Sequence, residues 1–206
     1  MISFIFKEVF MKKYLYLIAL LTLFTITMVK SMQEEDEFAE EKPQYIISVN
    51  QLGQHLGDIK IELFPDVAPK HVANFDSLVS TNSFDGTAFH RVIPGFMIQG
   101  GDPNSKDKPK NTWGYGDPNQ KTVPAEFNKL SHKRGILSAA RSQDPNSATS
   151  QFFICVADKP GLDGAYTVFG QVLEGMDVAD KIVSMPRDRN DNPNDKVEMK
   201  IVKVKK

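Results

Sequence analysis

The segment from Ala88 to Asp102 constrains this chain more than any other, because it sets a charge within a strongly apolar pattern. Two short apolar runs are separated there by Pro94-Gly95. Proline lacks a backbone donor and glycine bends freely, so the pair predicts a break between two strands. Side chains alternate along a strand, which places Met97 and Gln99 on one face, and Arg91 can fold back towards that face.

That combination leaves two interpretations open when residue types alone are considered. A cation, an amide and large apolar side chains on one surface are typical neither of a core nor of a solvated face. They can form a binding site. Alternatively, Arg91 lies on the protein surface and pairs with a carboxylate, while Phe96, Met97 and Phe153 belong to the core. His90, beside Arg91, is expected to be structural rather than a base.

The composition indicates an ordinary globular protein with one domain of good core size. The chain has 206 residues, a formal net charge of -1, 41% apolar residues and 25% charged residues. The near-neutral balance argues against nucleic-acid binding. Cys155 is the only cysteine, which excludes an intramolecular disulfide and a cysteine-based zinc site, and we expect it to be a buried, inert thiol. The four histidines lack metal-ligand spacing, so no metal is expected.

The N-terminal region has the form of a secretory signal. A basic start at Met11-Lys12-Lys13 precedes the uncharged, mostly apolar run 14–29, and Val29-Lys30-Ser31 resembles a cleavage site. We therefore predict a signal peptide over residues 1–31, with Met11 as an alternative start. An uncleaved membrane anchor through residues 14–29 is the alternative.

A dense acidic run follows at Glu34–Glu41. Like charges at this density repel one another and stay solvated, so residues 32–42 are predicted to form a disordered linker. The remaining chain, residues 43–206, is predicted to be a single domain.

Hydrophobic periodicity within this domain predicts about eight strands and two helices. The strands are expected at 44–50, 58–64, 88–94, 96–100, 135–141, 151–157, 167–173 and 197–204, and the helices at about 69–80 and 176–183. The connection at 52–57 is predicted to be a turn-rich hairpin loop. The polar stretch Ser105–Pro124 is predicted to be a long loop, where Trp113 either packs the loop onto the domain or contacts a ligand. The pattern favours an all-β barrel or a sandwich, without choosing between them.

Several ordered blocks resemble the cyclophilin family of peptidyl-prolyl cis-trans isomerases. They are the segment FHRVIPGFMIQGGD at 89–102, GILSAA at 135–140, SQFFI at 150–154, LDG at 162–164 and VFG at 168–170. The resemblance spans about residues 45–204. It implies an all-β dominated fold, a closed eight-stranded antiparallel β-barrel capped by two α-helices, and it implies isomerisation of X-Pro bonds without metal or cofactor.

The resemblance also implies site residues. The family's catalytic arginine falls on Arg91, and the amide that contacts the substrate backbone falls on Gln99. The residues expected to bind substrate are Phe96, Met97, Ala140, Arg141, Phe153, Leu162 and Tyr166. The chain departs from the best-known eukaryotic pattern at two of these neighbouring positions, since Gly161 replaces a tryptophan and Tyr166 replaces a histidine. The missing indole predicts weakened cyclosporin binding.

These observations predict an exported isomerase, periplasmic or secreted, that assists the folding of other exported proteins. Its partners would be proline-containing polypeptides, and we expect it to act as a monomer. A non-catalytic module or chaperone that binds proline segments is the alternative. A structural envelope protein tethered by residues 14–29 is a third.

Overall fold

The computed structural model describes residues 17–18, 20–28, 30 and 42–205. The residues described between 17 and 30 are helical and exposed. Hydroxyl groups of Thr25 and Thr27 donate back to carbonyls three or four residues earlier, as is common in helices. Within the described part of the chain, no helix is long and apolar enough to cross a membrane. The predicted cleavage site at Val29 and Ser31 and the acidic run Glu34–Glu41 lie outside the described residues.

The described residues from 42 onwards form one compact unit, built around an eight-stranded antiparallel sheet. Its strands are β1 Gln44–Gln51, β2 Gln54–Leu63, β3 Phe89–Ile93, β4 Met97–Gly100, β5 Ile136–Ala139, β6 Phe152–Cys155, β7 Val168–Glu174 and β8 Val197–Lys203. Their spatial order is β3-β4-β6-β5-β7-β2-β1-β8. The two edge strands meet where Ala88 bridges Glu198, so the sheet curls into a nearly closed barrel. This confirms the predicted barrel and rules out the sandwich.

The β1–β2 hairpin is tighter than the sequence pattern predicts. Only Leu52 and Gly53 form the turn, and both have positive φ. A two-residue turn needs this conformation if its twist is to match the right-handed twist of the two strands. A shift of register after Val49 lets the strand continue through Gly57. The predicted hairpin is confirmed, but its connection is shorter than the predicted 52–57, because Gly57 lies at a bulge within the strand rather than at its end.

Two helices pack against the barrel, α1 at Pro69–Ser80 and α2 at Met176–Val183. Both lie where the sequence pattern predicts them. Proline suits the first turn of α1 because a backbone N–H at that position would have no helical partner, so the donor that proline lacks is not missed. The Glu126 carboxylate accepts hydrogen bonds from the next two N–H groups, those of Lys70 and His71, and thereby caps the helix from a distant loop.

The interior of the barrel is filled by inward-pointing aliphatic and aromatic side chains. Ile98, Leu137 and Ile154 are completely buried there. An aromatic cluster extends this core towards α1, where the Phe152 ring meets the Phe75 ring at 5.8 Å and the Phe84 ring at 5.8 Å between centroids. Burial of these aliphatic and aromatic side chains together is the main source of stability for the domain.

Replacing Phe152 with alanine should lower the free energy of unfolding by about 3–5 kcal/mol, because a large cavity opens among rings that cannot collapse onto it. Guanidinium denaturation of residues 43–206 measures this change. The matched control is Leu52→Ala, since Leu52 is 77% exposed in the hairpin turn and its truncation should cost less than about 0.5 kcal/mol. Equal losses for the two variants would contradict this account of the core.

Candidate active site

A row of side chains crosses four neighbouring strands on the outer face of the barrel. Arg91 on β3 lies opposite Gln99 on β4, which lies opposite Phe153 on β6, which lies opposite Ser138 on β5. Directly paired residues point to the same face of a sheet. The intervening residues, such as Ile98, point into the barrel core. Pairing therefore brings together residues that are up to 62 positions apart in the chain.

Loops complete the surroundings of this row. Phe96 comes from the turn between β3 and β4, where Gly95 adopts positive φ. Ala140 follows β5 directly, and Leu162 ends a short 3-10 helix at Pro160–Leu162. The segment after that helix carries Tyr166, whose ring meets the Phe153 ring edge-on at 5.7 Å.

The result is a small cavity of about 150 Å³ on the barrel surface. It is lined by Arg91, Phe96, Met97, Gln99, Ala140, Arg141, Phe153, Leu162 and Tyr166. These are all nine residues that the sequence predicts for the site. The structure brings them together, and their individual roles stay predictions.

The apolar side of the cavity is a second hydrophobic cluster, separate from the barrel interior. Met97, Phe153 and Cys155 are buried in it. The interpretation that places Met97 and Phe153 in the main core is therefore wrong, because alternation along β4 and β6 turns them outward. Burial raises the pKa of the Cys155 thiol to about 12, so the group is a neutral, apolar part of this cluster.

The polar side of the cavity is held by a directional chain of hydrogen bonds. Arginine only donates, so the Arg91 guanidinium faces the Gln99 side-chain oxygen, at 3.4 Å. The Gln99 amide nitrogen then donates to the Gln151 oxygen at 3.0 Å. The Gln151 nitrogen donates to the Gly114 carbonyl at 3.1 Å. The chain of bonds thus runs from a loop backbone to the guanidinium and fixes the orientation of both amides.

Arg91 itself is exposed at the mouth of the cavity. Among the described residues, it forms no ion pair with a carboxylate, so the alternative of a surface salt bridge fails for residues 42–205. The cation therefore lies beside a cavity that has the apolar side chains Met97 and Phe153 on its other side. A substrate atom with a lone pair can accept a hydrogen bond there.

Arg141 has a different setting. Its guanidinium donates to the Ala165 carbonyl at 3.1 and 2.9 Å and to the Ser142 carbonyl at 2.8 Å. It also lies over the Tyr166 ring, 4.6 Å from the centroid. These contacts occupy most of its donors, so Arg141 supports the rim and the Tyr166 ring.

Two larger cavities adjoin this one. The first, of about 320 Å³, shares Gln99, Ala140 and Arg141 with it, and the second, of about 610 Å³, shares Arg91 and Gln99. Trp113 lines the second cavity, while its indole N–H donates to the Lys108 carbonyl at 2.9 Å. Trp113 thus secures its own loop and also borders space next to Arg91. The loop contains two short 3-10 helices, Pro103–Ser105 and Lys110–Thr112, that the sequence pattern does not predict.

Sequence reasoning did not single out Gln151, although the pattern carried a signal for it. Gln151 directly precedes β6 and lies two residues before Phe153, so alternation along the extended chain puts both on the outward face. Its partner Gly114 lies in the loop 105–124, whose path has no periodic pattern.

Gly161, which the sequence comparison sets against a tryptophan of the best-known eukaryotic pattern, lies in open space next to Leu162. A Cβ atom added at Gly161 would meet no atom within 4 Å, and the residue does not have positive φ. A Cβ atom therefore fits there without displacing its neighbours.

Comparison with known proteins places these features in one family. The family profile described as "Cyclophilin type peptidyl-prolyl cis-trans isomerase/CLD" matches residues 45–205. A protein from Brucella suis named "Probable peptidyl-prolyl cis-trans isomerase" is 52% identical over 130 residues, which cover 61% of this chain and 66% of that protein. A peptidyl-prolyl cis-trans isomerase from Acinetobacter baylyi is 46% identical over 140 residues, which cover 64% of this chain and 70% of that protein.

Solved structures agree. A cyclophilin type peptidyl-prolyl cis-trans isomerase from Cryptosporidium parvum, crystallised in the presence of the dipeptide Ala-Pro, superposes with a TM-score of 0.67. It is 33% identical and covers 79% of this chain and 99% of its own length. The barrel, the profile match and these relatives agree, and the chain belongs to the cyclophilin-type peptidyl-prolyl cis-trans isomerases, a family of isomerase enzymes.

Proposed function

We propose that this chain catalyses cis-trans isomerisation of X-Pro peptide bonds at the cavity between Arg91 and Phe153. One observation carries the proposal, namely that all nine predicted residues line one small cavity, with the Arg91 guanidinium exposed at its mouth. Its small size and apolar walls suit a proline ring. A related protein was crystallised in the presence of Ala-Pro, which supports proline-containing polypeptides as the substrate class.

The reaction needs a large reduction of a rotational barrier and no change of bonding. Amide resonance sets a barrier of about 18–20 kcal/mol, and uncatalysed exchange takes about tens of seconds or longer. A turnover of roughly a thousand per second needs a barrier lower by about 7 kcal/mol. No covalent bond is made or broken, so the site requires neither a nucleophile nor a general base.

Arg91 supplies the interaction that strengthens in the transition state. When the peptide bond twists, the proline nitrogen becomes pyramidal and regains its lone pair. A donor aimed at that lone pair binds the twisted state more strongly than the planar ground state, which is the condition for catalysis. Arginine suits this role because it stays charged and offers fixed donors.

The apolar walls supply much of the remaining effect. One charge-assisted hydrogen bond contributes about 1.5–3 kcal/mol in a wet setting, which is too little alone. Met97 and Phe153 are almost fully buried and line one side of the cavity, so water is displaced when a proline ring enters. A preorganised donor acts more strongly in such a setting.

Gln99 has two tasks in this scheme. Its oxygen faces the Arg91 guanidinium and its nitrogen donates to Gln151 through one N–H, which orients the arginine. The second N–H of the same amide is then available for a substrate carbonyl. Ala140 and Arg141 lie where the substrate chain passes beside the proline.

Arg91→Ala should lower kcat/KM for a short X-Pro peptide by about 100-fold or more, because the transition-state donor is removed. Arg91→Lys should recover part of this loss, since it keeps the charge without the fork of donors. Exchange NMR on residues 43–206 measures the rates and peptide binding together.

The matched control is Lys129→Ala, which removes an exposed cation outside all of the cavities described above. It should leave exchange unchanged. The alternative of a non-catalytic proline-binding module predicts that the wild-type domain binds the peptide without accelerating its exchange, and that result would refute the isomerase.

We propose that cyclosporin binds weakly, because Gly161 provides neither the indole donor nor the apolar face of a tryptophan. Gly161→Trp should raise cyclosporin affinity at least 10-fold, because it restores the indole donor and apolar face at a position where an added Cβ meets free space. Calorimetric titration of both proteins measures the difference. Gly161→Ala is the control and should bind as the wild type does, and equal affinity for all three would contradict the explanation.

We propose further that the enzyme is exported, to the periplasm or the cell exterior, and assists the folding of exported proteins as a monomer. The signal-like sequence over residues 1–31 supports export. All nine residues that line the cavity come from one chain, which supports a monomeric enzyme. Fractionation of cells that express the full chain, with N-terminal sequencing of the product, should show a soluble exported protein that begins near residue 32. Recovery in the membrane with residues 14–29 intact would instead indicate an anchor, and sedimentation of the product tests the monomer.

A further inference from the structure

His132 and Asp163 take no direct part in the proposed chemistry, yet both lie against the wall of the proline pocket. We propose that they are positioning residues, which hold Phe153, Leu162 and Tyr166 in the arrangement that receives the proline ring. The inference rests on the proposed function of this cavity. It adds an explanation of what holds the cavity in its shape.

The Asp163 carboxylate gathers three hydrogen bonds from two consecutive residues. It accepts from the His132 backbone N–H at 2.7 Å, from the Ser131 hydroxyl at 2.7 Å and from the His132 ring Nδ1 at 2.9 Å. These bonds, that of the backbone N–H first, lower the pKa of Asp163 to about 2. At neutral pH the group is thus an ionised acceptor, and the Nδ1 atom of His132 must carry a hydrogen.

His132 is completely buried and makes contacts on every side. Its Nε2 lies 3.1 Å from the Ser138 hydroxyl, which belongs to the strand residue paired with Phe153. Its ring stacks on the Phe153 ring, with centroids 6.1 Å apart and planes 15° apart. The edge of the Tyr166 ring meets it at 6.5 Å. The imidazole therefore fixes the rear of both aromatic rings.

Asp163 transmits this anchoring to the loop that forms one side of the cavity. It directly follows Leu162, and the Tyr166 N–H donates back to the Leu162 carbonyl at 3.2 Å. The Lys159 N–H donates to the His132 carbonyl at 2.7 Å, so the loop is tied to His132 both before and after Leu162. Because Leu162 is only half-buried, apolar packing alone does not fix this loop. The hydrogen bonds to His132 set the position of the loop.

The geometry points to an effect on substrate binding rather than on the twisting step. Neither His132 nor Asp163 lines the cavity. Arg91 and Gln99 are held by a separate chain of bonds that leads to Gly114. Loosening the wall should therefore weaken capture of the proline ring and leave the transition-state donor in place.

Asp163→Ala tests this directly, because the side chain is partly exposed and its removal deletes no apolar side chain from the hydrophobic core. We expect the KM for an X-Pro peptide and the Kd for the Ala-Pro dipeptide to rise about 10-fold, with kcat changed less than about 2-fold. Asp163→Asn keeps an oxygen that can accept from the His132 backbone and should recover most of the affinity. NMR signals of Leu162 and Tyr166 should shift in Asp163→Ala and return in Asp163→Asn.

Two further variants separate positioning from general destabilisation. Asp180→Ala removes a carboxylate bound to Arg134 at 2.7 and 2.8 Å, away from the cavity, and should leave KM and Kd unchanged. His132→Phe keeps a flat ring against Phe153 while losing both polar partners, and should reproduce the Asp163→Ala phenotype. Circular dichroism first establishes that each variant is folded.

Wild-type KM and Kd in a folded Asp163→Ala protein would overturn the proposal, as would a loss of kcat at unchanged Kd. Failure of the catalytic function gives a different pattern. In that case the wild-type domain leaves exchange unaccelerated, while weaker dipeptide binding by Asp163→Ala still supports the positioning role.

Discussion

The site depends on one constraint, the register in which four short strands pair. Arg91, Gln99, Phe153 and Ser138 share a row because each strand pairs with its neighbour at one particular offset. If one of these strands slipped by one residue, its outward side chains would turn into the barrel and its core side chains would turn outward. Burial of the inward residues, such as Ile98, opposes such a slip, so the hydrophobic core that stabilises the barrel also determines which side chains face the cavity.

Two supports converge on that row from opposite sides. On the polar side, Gln99 and Gln151 connect the Arg91 guanidinium to a loop carbonyl, which sets the direction of the donor. On the apolar side, His132 and Asp163 anchor the rings and the loop behind the pocket. Such rigidity favours the isomerisation of a peptide bond, because no covalent bond is made or broken. The rate then depends on how the substrate is positioned and on how charge is stabilised.

Long loops account for most of what the sequence pattern does not predict. The segment 105–124 has no hydrophobic period. Scattered hydrogen bonds hold its backbone instead, such as that from the Asn104 side-chain amide to the Gly116 carbonyl. The route of the loop past Arg91 therefore depends on tertiary contacts. The same applies to Glu126, which caps a helix whose first residues lie more than 50 positions earlier.

The sequence by itself determined the elements and the residues that can carry the chemistry. Period 2 and period 3.6 are local, so the strands and α1 appear in the pattern within a few residues of their true ends, and motif blocks identify Arg91 and Phe153. Periodicity did not choose between a barrel and a sandwich, and only the tertiary structure showed the path of the loop past Arg91 and the contacts of His132 with Phe153 and Asp163. Those features arise from pairing and packing between distant segments, which no local period encodes.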